Sequence, residues 1–224
     1  MRTKEERVQK LQSKIHCVIY DCDGVLFDSF EANTRLYNDL CAWVGRGRLS
    51  EEEMRYVHIH TVFEAIRFIF GKESDLEKKA LDMLKERQVD LRNYVEYLKV
   101  EPHLFQTLEK LKEKGILRAI NTNRTTSMKY VMERFKLDPY FEMVVTALDV
   151  SNPKPHPESI EKIIEAFKLK KEEAVFIGDS EVDKQTAESS DVRFIAYKNR
   201  KIANDLFIED HLDLLDLISN HKAS

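Results

Sequence analysis

Residues 17–29 read Cys17-Val18-Ile19-Tyr20-Asp21-Cys22-Asp23-Gly24-Val25-Leu26-Phe27-Asp28-Ser29. The uninterrupted apolar run Cys17–Tyr20 predicts a strand buried on both faces. It ends in two aspartates two positions apart. Successive strand residues alternate faces, so Asp21 and Asp23 project to the same side. Alone, such a pair is a polar turn closing a strand. It is not a calcium loop, which needs Gly at position 6 and Glu at position 12. Counted from Asp21, Gly24 stands at position 4 and Ala32 at position 12.

Further runs read the same way: Leu117–Ile120, Met143–Thr146, Ala174–Ile177 and Arg193–Tyr197. Helical patterns lie between them at Leu104–Lys114, Thr126–Lys136, Pro157–Lys168 and Val182–Ser189. Strand alternating with helix predicts an α/β fold, a doubly wound (Rossmann-like) parallel sheet with right-handed crossovers. The spacing breaks once, between Tyr20 and Leu117, which is far more chain than one crossover helix needs. There Glu31–Val44, Ser50–Val57, Thr61–Phe70 and Asp75–Leu91 show apolar residues at three- and four-residue steps. Ser50 followed by Glu53 is a capping box. The spacing predicts an all-helical cap over residues 29–97, inserted into a core of residues 1–28 and 98–224. Open parallel sheets bind ligands beyond the carboxyl ends of their strands, so a cap at that edge is placed as a lid. Its hinges fall near Phe27–Ser29 and Leu98–Pro102. Trp43 lies on an apolar helical face and reads as core.

Composition excludes several classes. Among 224 residues, 36 basic and 40 acidic side chains give a net charge of −4, with no basic block to bind nucleic acid. No stretch approaches the ~20 apolar residues of a membrane helix. The segment MRTKEERVQKLQSK lacks the apolar run of a signal peptide and carries acidic residues, unlike a transit peptide. It reads as a charged helix before Ile15, with no assigned role. The cysteines Cys17, Cys22 and Cys41 form no CxxC pair. The expected compartment is the reducing cytoplasm. The expected assembly is a monomer or homodimer.

The other strand ends also carry polar groups. Gly178-Asp179-Ser180-Glu181-Val182-Asp183 follows the fourth run. Alone it is a helix cap. Together with Asp21 and Asp23, it brings four carboxylates to one sheet edge, where they repel unless a cation sits among them. Hard oxygen ligands of this kind favour Mg²⁺. Asn121-Thr122-Asn123-Arg124-Thr125 follows the second run, where a hydroxyl and free N–H groups before a helix make a phosphate cradle. Ser151-Asn152-Pro153-Lys154-Pro155-His156-Pro157 follows the third, a loop stiffened by prolines with Lys154 its one cation. Each motif is weak alone. The ordered set is not.

With these residues in that order, the sequence resembles the haloacid dehalogenase-like superfamily of phosphotransferases, over about Ile15 to Ile195. It is most similar to the subgroup with a helical cap after the first motif, which includes phosphoglycolate phosphatases and β-phosphoglucomutases. The resemblance implies that Asp21 is the nucleophile, forming an aspartyl-phosphate, and that Asp23 is the general acid and then base. It implies Mg²⁺ held by Asp21, the Asp23 carbonyl and Asp179, with Asp183 a further carboxylate of the metal site. Thr122, Asn123 and Gly24 would bind substrate phosphate, and Lys154 would stabilise phosphoryl charge. The presence of Asp23 argues against dehalogenation. Mutases carry a His where this chain has Glu31-Ala32-Asn33.

The implied activity is hydrolysis of a small soluble phosphomonoester. A β-phosphoglucomutase-like phosphotransferase and a non-catalytic binding module are the alternatives. Specificity is expected in the cap, at the loop Val57-His58-Ile59-His60-Thr61, with His58 and His60 meeting substrate. Arg46, Arg48, Arg55 and Arg67 read as solvated.

Overall fold

The computed structural model describes residues 14–85 and 89–219. The charged helix expected before Ile15 lies outside them. A six-stranded parallel sheet runs in the order β5-β4-β1-β6-β7-β8. Its strands are β1 (Cys17–Tyr20), β4 (Leu117–Asn121), β5 (Met143–Val145), β6 (Ala174–Gly178), β7 (Arg193–Tyr197) and β8 (Phe207–Ile208). The five expected strands are present within a residue at each end. The edge strand β8 was not foreseen, because two residues carry no periodicity.

Alternation divides the core between the two faces of the sheet. Val18 and Tyr20, Val175 and Ile177, and Ile195 and Tyr197 face one layer. Cys17 and Ile19, Ala174 and Phe176, and Phe194 and Ala196 face the other. The first layer is covered by α6 (Leu104–Glu113), α7 (Ser127–Phe135) and α10 (His211–Ser219) through Leu104, Leu108, Leu111, Val131 and Leu214. The second is covered by α8 (Glu158–Phe167) and α9 (Glu181–Ser190) through Ile160, Ile163 and Ala187. Each fully buried Ile or Leu of this kind contributes about 1.5–3 kcal/mol.

The helical block is α1 (Phe30–Trp43), α2 (Glu51–Ile59), α3 (Val62–Phe70), α4 (Asp75–Lys85) and the single turn α5 (Arg92–Val95). It has its own core, including Tyr37, Leu40, Ala65, Ile66 and Ile69. Ser50 caps α2 and Thr61 caps α3, each in a reciprocal capping box. Two expectations are corrected. The helix expected over Asp75–Leu91 is described only to Lys85, and Val89–Leu91 are not helical. Trp43 is 43% exposed, since it ends α1 on the face turned from the cap core.

The chain enters and leaves the helical block through a two-residue antiparallel pair that the sequence did not announce. β2 (Phe27–Asp28) pairs with β3 (Lys99–Val100), and Glu101 N–H donates to the Leu26 carbonyl at 3.0 Å. Both connections to the cap therefore run side by side where the hinges were expected. No helix among the described residues is long and apolar enough to cross a membrane.

His211 starts α10 with no exposed surface. Its Nε2 lies 2.9 Å from the Val25 carbonyl, and its ring stacks on Tyr197 at 4.7 Å. Burial pushes its pKa down to about 4 from an ordinary 6.5. Between those values the unfolded chain binds a proton that the folded chain refuses, so stability falls as pH falls through that window. The wild-type protein should lose about 3 kcal/mol relative to His211→Gln between pH 7 and pH 4, measured by urea unfolding. Parallel pH profiles of the two proteins would contradict this. The carboxylates common to both cancel in the comparison.

Candidate active site

Register sets the site. Tyr20 pairs with Ile120 on one side and Ile177 on the other. The next residues, Asp21, Asn121 and Gly178, therefore leave three adjacent strands at one level. Adjacent strands lie about 4.8 Å apart, so the groups that follow are neighbours by construction. Asp21 N–H still donates to the Ile177 carbonyl (2.9 Å), and Thr122 N–H to that of Val145 (3.0 Å). Each motif thus starts from a fixed backbone.

Carboxylate oxygens of Asp21, Asp179 and Asp183 lie within 4.8 Å of one another. Lys154 Nζ donates to Asp21 Oδ1 and to Asp183 Oδ1, at 2.6 Å each. Lys154 is 5% exposed and Asp183 fully buried, so this is an interior charge cluster. Burial, with the Asp183 carboxylate beside it, pushes Asp21 up to about 7. Burial, then Asp183 and Asp21, holds Asp179 well above the ordinary carboxylate range. Burial works against the charge of Lys154, but the two carboxylates outweigh it and raise its pKa.

Asp183 is fixed by α9. Ser180, the N-cap, receives the Asp183 N–H, while its own N–H and hydroxyl donate to Asp183 Oδ2 (3.2 and 2.6 Å). The capping expected at this helix is therefore present, and it also orients the Asp183 carboxylate. Two glycines leave room for the acids. A Cβ on Gly178 would lie 2.2 Å from the Asp183 Cβ, and one on Gly24 2.0 Å from Asp179 Oδ2. Gly24 thus abuts a member of the triad.

The fourth carboxylate stands apart. Asp23 is held by Arg124, whose Nε and guanidinium NH2 donate to its two oxygens at 2.7 and 2.6 Å. Such two-point pairing is strong and directional. Burial opposes ionisation of Asp23, but Arg124 outweighs it and holds the carboxyl below its usual range. The sequence assigns Arg124 no role. Its partner lies 101 positions away, beyond any spacing argument. The signal available was that it is the one cation in the Asn121–Thr125 loop.

α7 begins at Ser127, within a residue of the expected start, so Thr122 and Asn123 lie in the loop before it. Thr122 Oγ1 accepts the Arg124 N–H at 3.0 Å. Asn123 Nδ2 donates to the Lys154 carbonyl at 3.2 Å, tying the second motif to the third.

Cap and core enclose a cleft of about 220 Å³. Asp21, Asp23, Thr122, Asn123, Lys154 and Asp179 line its core side, and His58 and His60 its cap side. His60 stacks on Tyr56 (3.7 Å) with its Nδ1 2.9 Å from the Tyr56 carbonyl. His58 stacks on Phe30 (4.8 Å), and its Nδ1 lies 3.3 Å from Asn33 Nδ2. Arg46 pairs with Glu53 and Arg67 with Glu77, away from the cleft.

The donor set fits a hard divalent cation: three oxygen-bearing side chains converge, and burial disfavours their charges unless a positive group joins them. Asp21, Asp179 and Asp183 are the side chains placed to hold it. Gly24→Ala should displace Asp179 and shrink whatever thermal stabilisation added Mg²⁺ gives the wild type. Gly45→Ala is the control, with the same left-handed backbone (φ +82°, against +77° at Gly24) but no atom within 4 Å of the added Cβ. Both lose about 1 kcal/mol to backbone strain. Equal Mg²⁺ responses in the two variants would contradict the placement of Asp179.

Comparison with known proteins agrees with the geometry. Residues 18–197 match the haloacid dehalogenase-like hydrolase family. A haloacid dehalogenase-superfamily hydrolase of subfamily IA, variant 1, from Geobacter sulfurreducens is similar in structure. It is 40% identical with a TM-score of 0.74, over 91% of this chain and 96% of that one. Pyrophosphatase PpaX of Bacillus cereus (strain B4264) is 25% identical over 94% of this chain and all of its own, 100%. A predicted phosphoglycolate phosphatase of Haemophilus somnus shares the fold at 19% identity, with a TM-score of 0.74 over 92% of this chain and 99% of that one. The chain belongs to the haloacid dehalogenase-like hydrolase family and is an enzyme of that family.

Proposed function

We propose that this protein is a Mg²⁺-dependent phosphatase that hydrolyses a small phosphomonoester by way of a phosphoryl group carried on Asp21. The observation that carries the reading is the convergence of Asp21, Asp179 and Asp183 around Lys154 at the sheet edge. The names of the relatives support it, since both act on compounds with a phosphoryl group by their description. The cleft of about 220 Å³ falls below the roughly 300–1,000 Å³ of pockets for drug-sized ligands, so the substrate is small.

Each residue has a part in the reaction. Asp21 Oδ attacks phosphorus, and the leaving oxygen departs as an alcohol. A carboxylate nucleophile splits one hard displacement into two easier ones. Lys154 keeps Asp21 oriented and offers positive charge to the phosphoryl oxygens. Thr122, the Asn123 backbone and the Gly24 turn hold the phosphate. A bound Mg²⁺ would supply the positive charge that keeps Asp21 ionised and offsets phosphate repulsion. Asp23 protonates the leaving oxygen and then takes a proton from the hydrolytic water. The first of these steps needs Asp23 protonated on one carboxyl oxygen, while Arg124 keeps its hydrogen bond to the other. Held as it is, Asp23 is ready as the base of the second step. The connections through β2 and β3 let the cap close for the first step and open for water.

The test is phosphate release from a panel of small phosphates with Mg²⁺. Asp21→Asn and chelation should each lower release by about 10³-fold or more, with the fold retained. Activity that survives in Asp21→Asn would overturn the assignment of the nucleophile. Transfer of phosphate between positions of a sugar phosphate without release would favour the mutase.

A further inference from the structure

The cap side of the cleft bears on the group that departs with the phosphate ester. Leu36, Val62, Phe63, Leu81, Leu84 and Tyr94 line it. The Tyr94 hydroxyl is spent on Asp39 at 2.8 Å, so what it adds to the wall is ring carbon. Two large apolar side chains are exposed on opposite sides of the same cleft. Phe63, on the cap, is 45% exposed, and Leu148, on the core, is 55%. Leu148 is not on a loose tip. Its N–H donates to Thr146 Oγ1 (3.2 Å), and the Thr146 hydroxyl and N–H both donate to Asp149 (2.6 and 2.8 Å). The turn therefore holds Leu148 in place as an apolar side chain on the core side of the cleft.

The charges on the floor are already committed. Among the described residues lining the cleft, the cations are Lys154 and Arg124. The first is paired with Asp21 and Asp183, the second with Asp23. Among described residues the cap side adds polar groups but no Lys or Arg. His58 is its main hydrogen-bonding offer. The Asn33 amide faces its Nδ1, which leaves Nε2 to carry the proton, and Nε2 is buried with no partner among the described residues. Burial holds the His58 pKa down, so this is a neutral donor. A neutral N–H can meet a hydroxyl or ester oxygen. It cannot neutralise a carboxylate or a second phosphate, and an unpaired anion among leucines is costly.

Resting on the phosphatase reading, we infer that the substrate's leaving group is an uncharged alcohol with an apolar or aromatic body, gripped between Phe63 and Leu148. Phosphoglycolate and pyrophosphate, which both leave as anions, are poor substrates on this account.

The experiment compares benzyl phosphate and butyl phosphate with phosphoglycolate and pyrophosphate, using the full chain with Mg²⁺. The alcohols released from the first three are of similar acidity, so intrinsic reactivity does not decide among them. Two readouts are taken: kcat/KM, with Asp21→Asn as the blank, and the Kd of each compound for Asp21→Asn by calorimetry. The expected result is at least tenfold in favour of benzyl phosphate over phosphoglycolate in both. Phe63→Ala, at a half-exposed position that does not threaten folding, should collapse that ratio mainly through KM. A preference for phosphoglycolate or pyrophosphate would overturn the inference and leave the phosphatase reading standing. So would a ratio unmoved in both Phe63→Ala and Leu148→Ala. If no compound gives phosphate above the blank, the phosphatase reading fails, and the Kd comparison decides: tighter benzyl phosphate supports the apolar subsite, and equal or reversed affinities overturn it.

Discussion

The Lys154 ammonium, 2.6 Å from both Asp21 and Asp183, is the contact on which the rest of the site depends. Asp21 and Asp183, both buried, and the partly buried Asp179 come from two strand ends and a helix, and they repel one another. In a medium of low effective dielectric that repulsion is several-fold stronger than in water. Lys154 reaches them from a third connection, the loop after β5, and its backbone carbonyl is tied in turn to Asn123 on a fourth. A buried charge pair is not in itself a stabilising device, because desolvation offsets much of the attraction. Its use here is to hold acids together where a chain would otherwise spread them, which is the state a divalent cation needs.

The fold supplies this cheaply because the central strands are parallel, in register and buried on both faces. Each strand end must leave the sheet at the same level, so polar residues one position past β1, β4 and β6 meet without long side chains. The chemistry and most of the apolar wall are then separated. The acids and their cations belong to the sheet edge, while the cap has its own hydrophobic core and contributes the walls of the cleft. The paired strands β2 and β3 join the two parts, so motion of one need not disturb the packing of the other.

Much of this was legible in the sequence, for physical reasons. A strand buried on both faces must be apolar throughout, and Cys17–Tyr20 and Ala174–Ile177 announce themselves that way. The capping box at Ser50 is local chemistry, and it was read directly. What escaped was either too short or too distant. β2, β3 and β8 are two residues each, below any period. The pairing of Arg124 with Asp23 and the contact of His211 with Val25 join residues 101 and 186 positions apart. Trp43 misled because an apolar residue at the end of an amphipathic helix can lie just past the edge of its buried stripe. The cleft's apolar wall was invisible for a related reason. Leucines of α1 and α4 read as core, and only the assembled cap shows which of them face the site.

The central claim is that Lys154 and a divalent cation together balance the acids. The measurement that tests it most directly is the unfolding free energy of metal-free wild type and Lys154→Met, at pH 8 and pH 5, each with and without Mg²⁺. The account predicts that Lys154→Met loses about 3–5 kcal/mol at pH 8, where the acids are left without their buried partner. It predicts a smaller loss at pH 5. Asp21, already raised to about 7, binds a proton there more tightly folded than unfolded, so stability recovers as pH falls through that value. Mg²⁺ should restore part of the loss at pH 8. An equal loss at both pH values, with no response to Mg²⁺, would contradict the account.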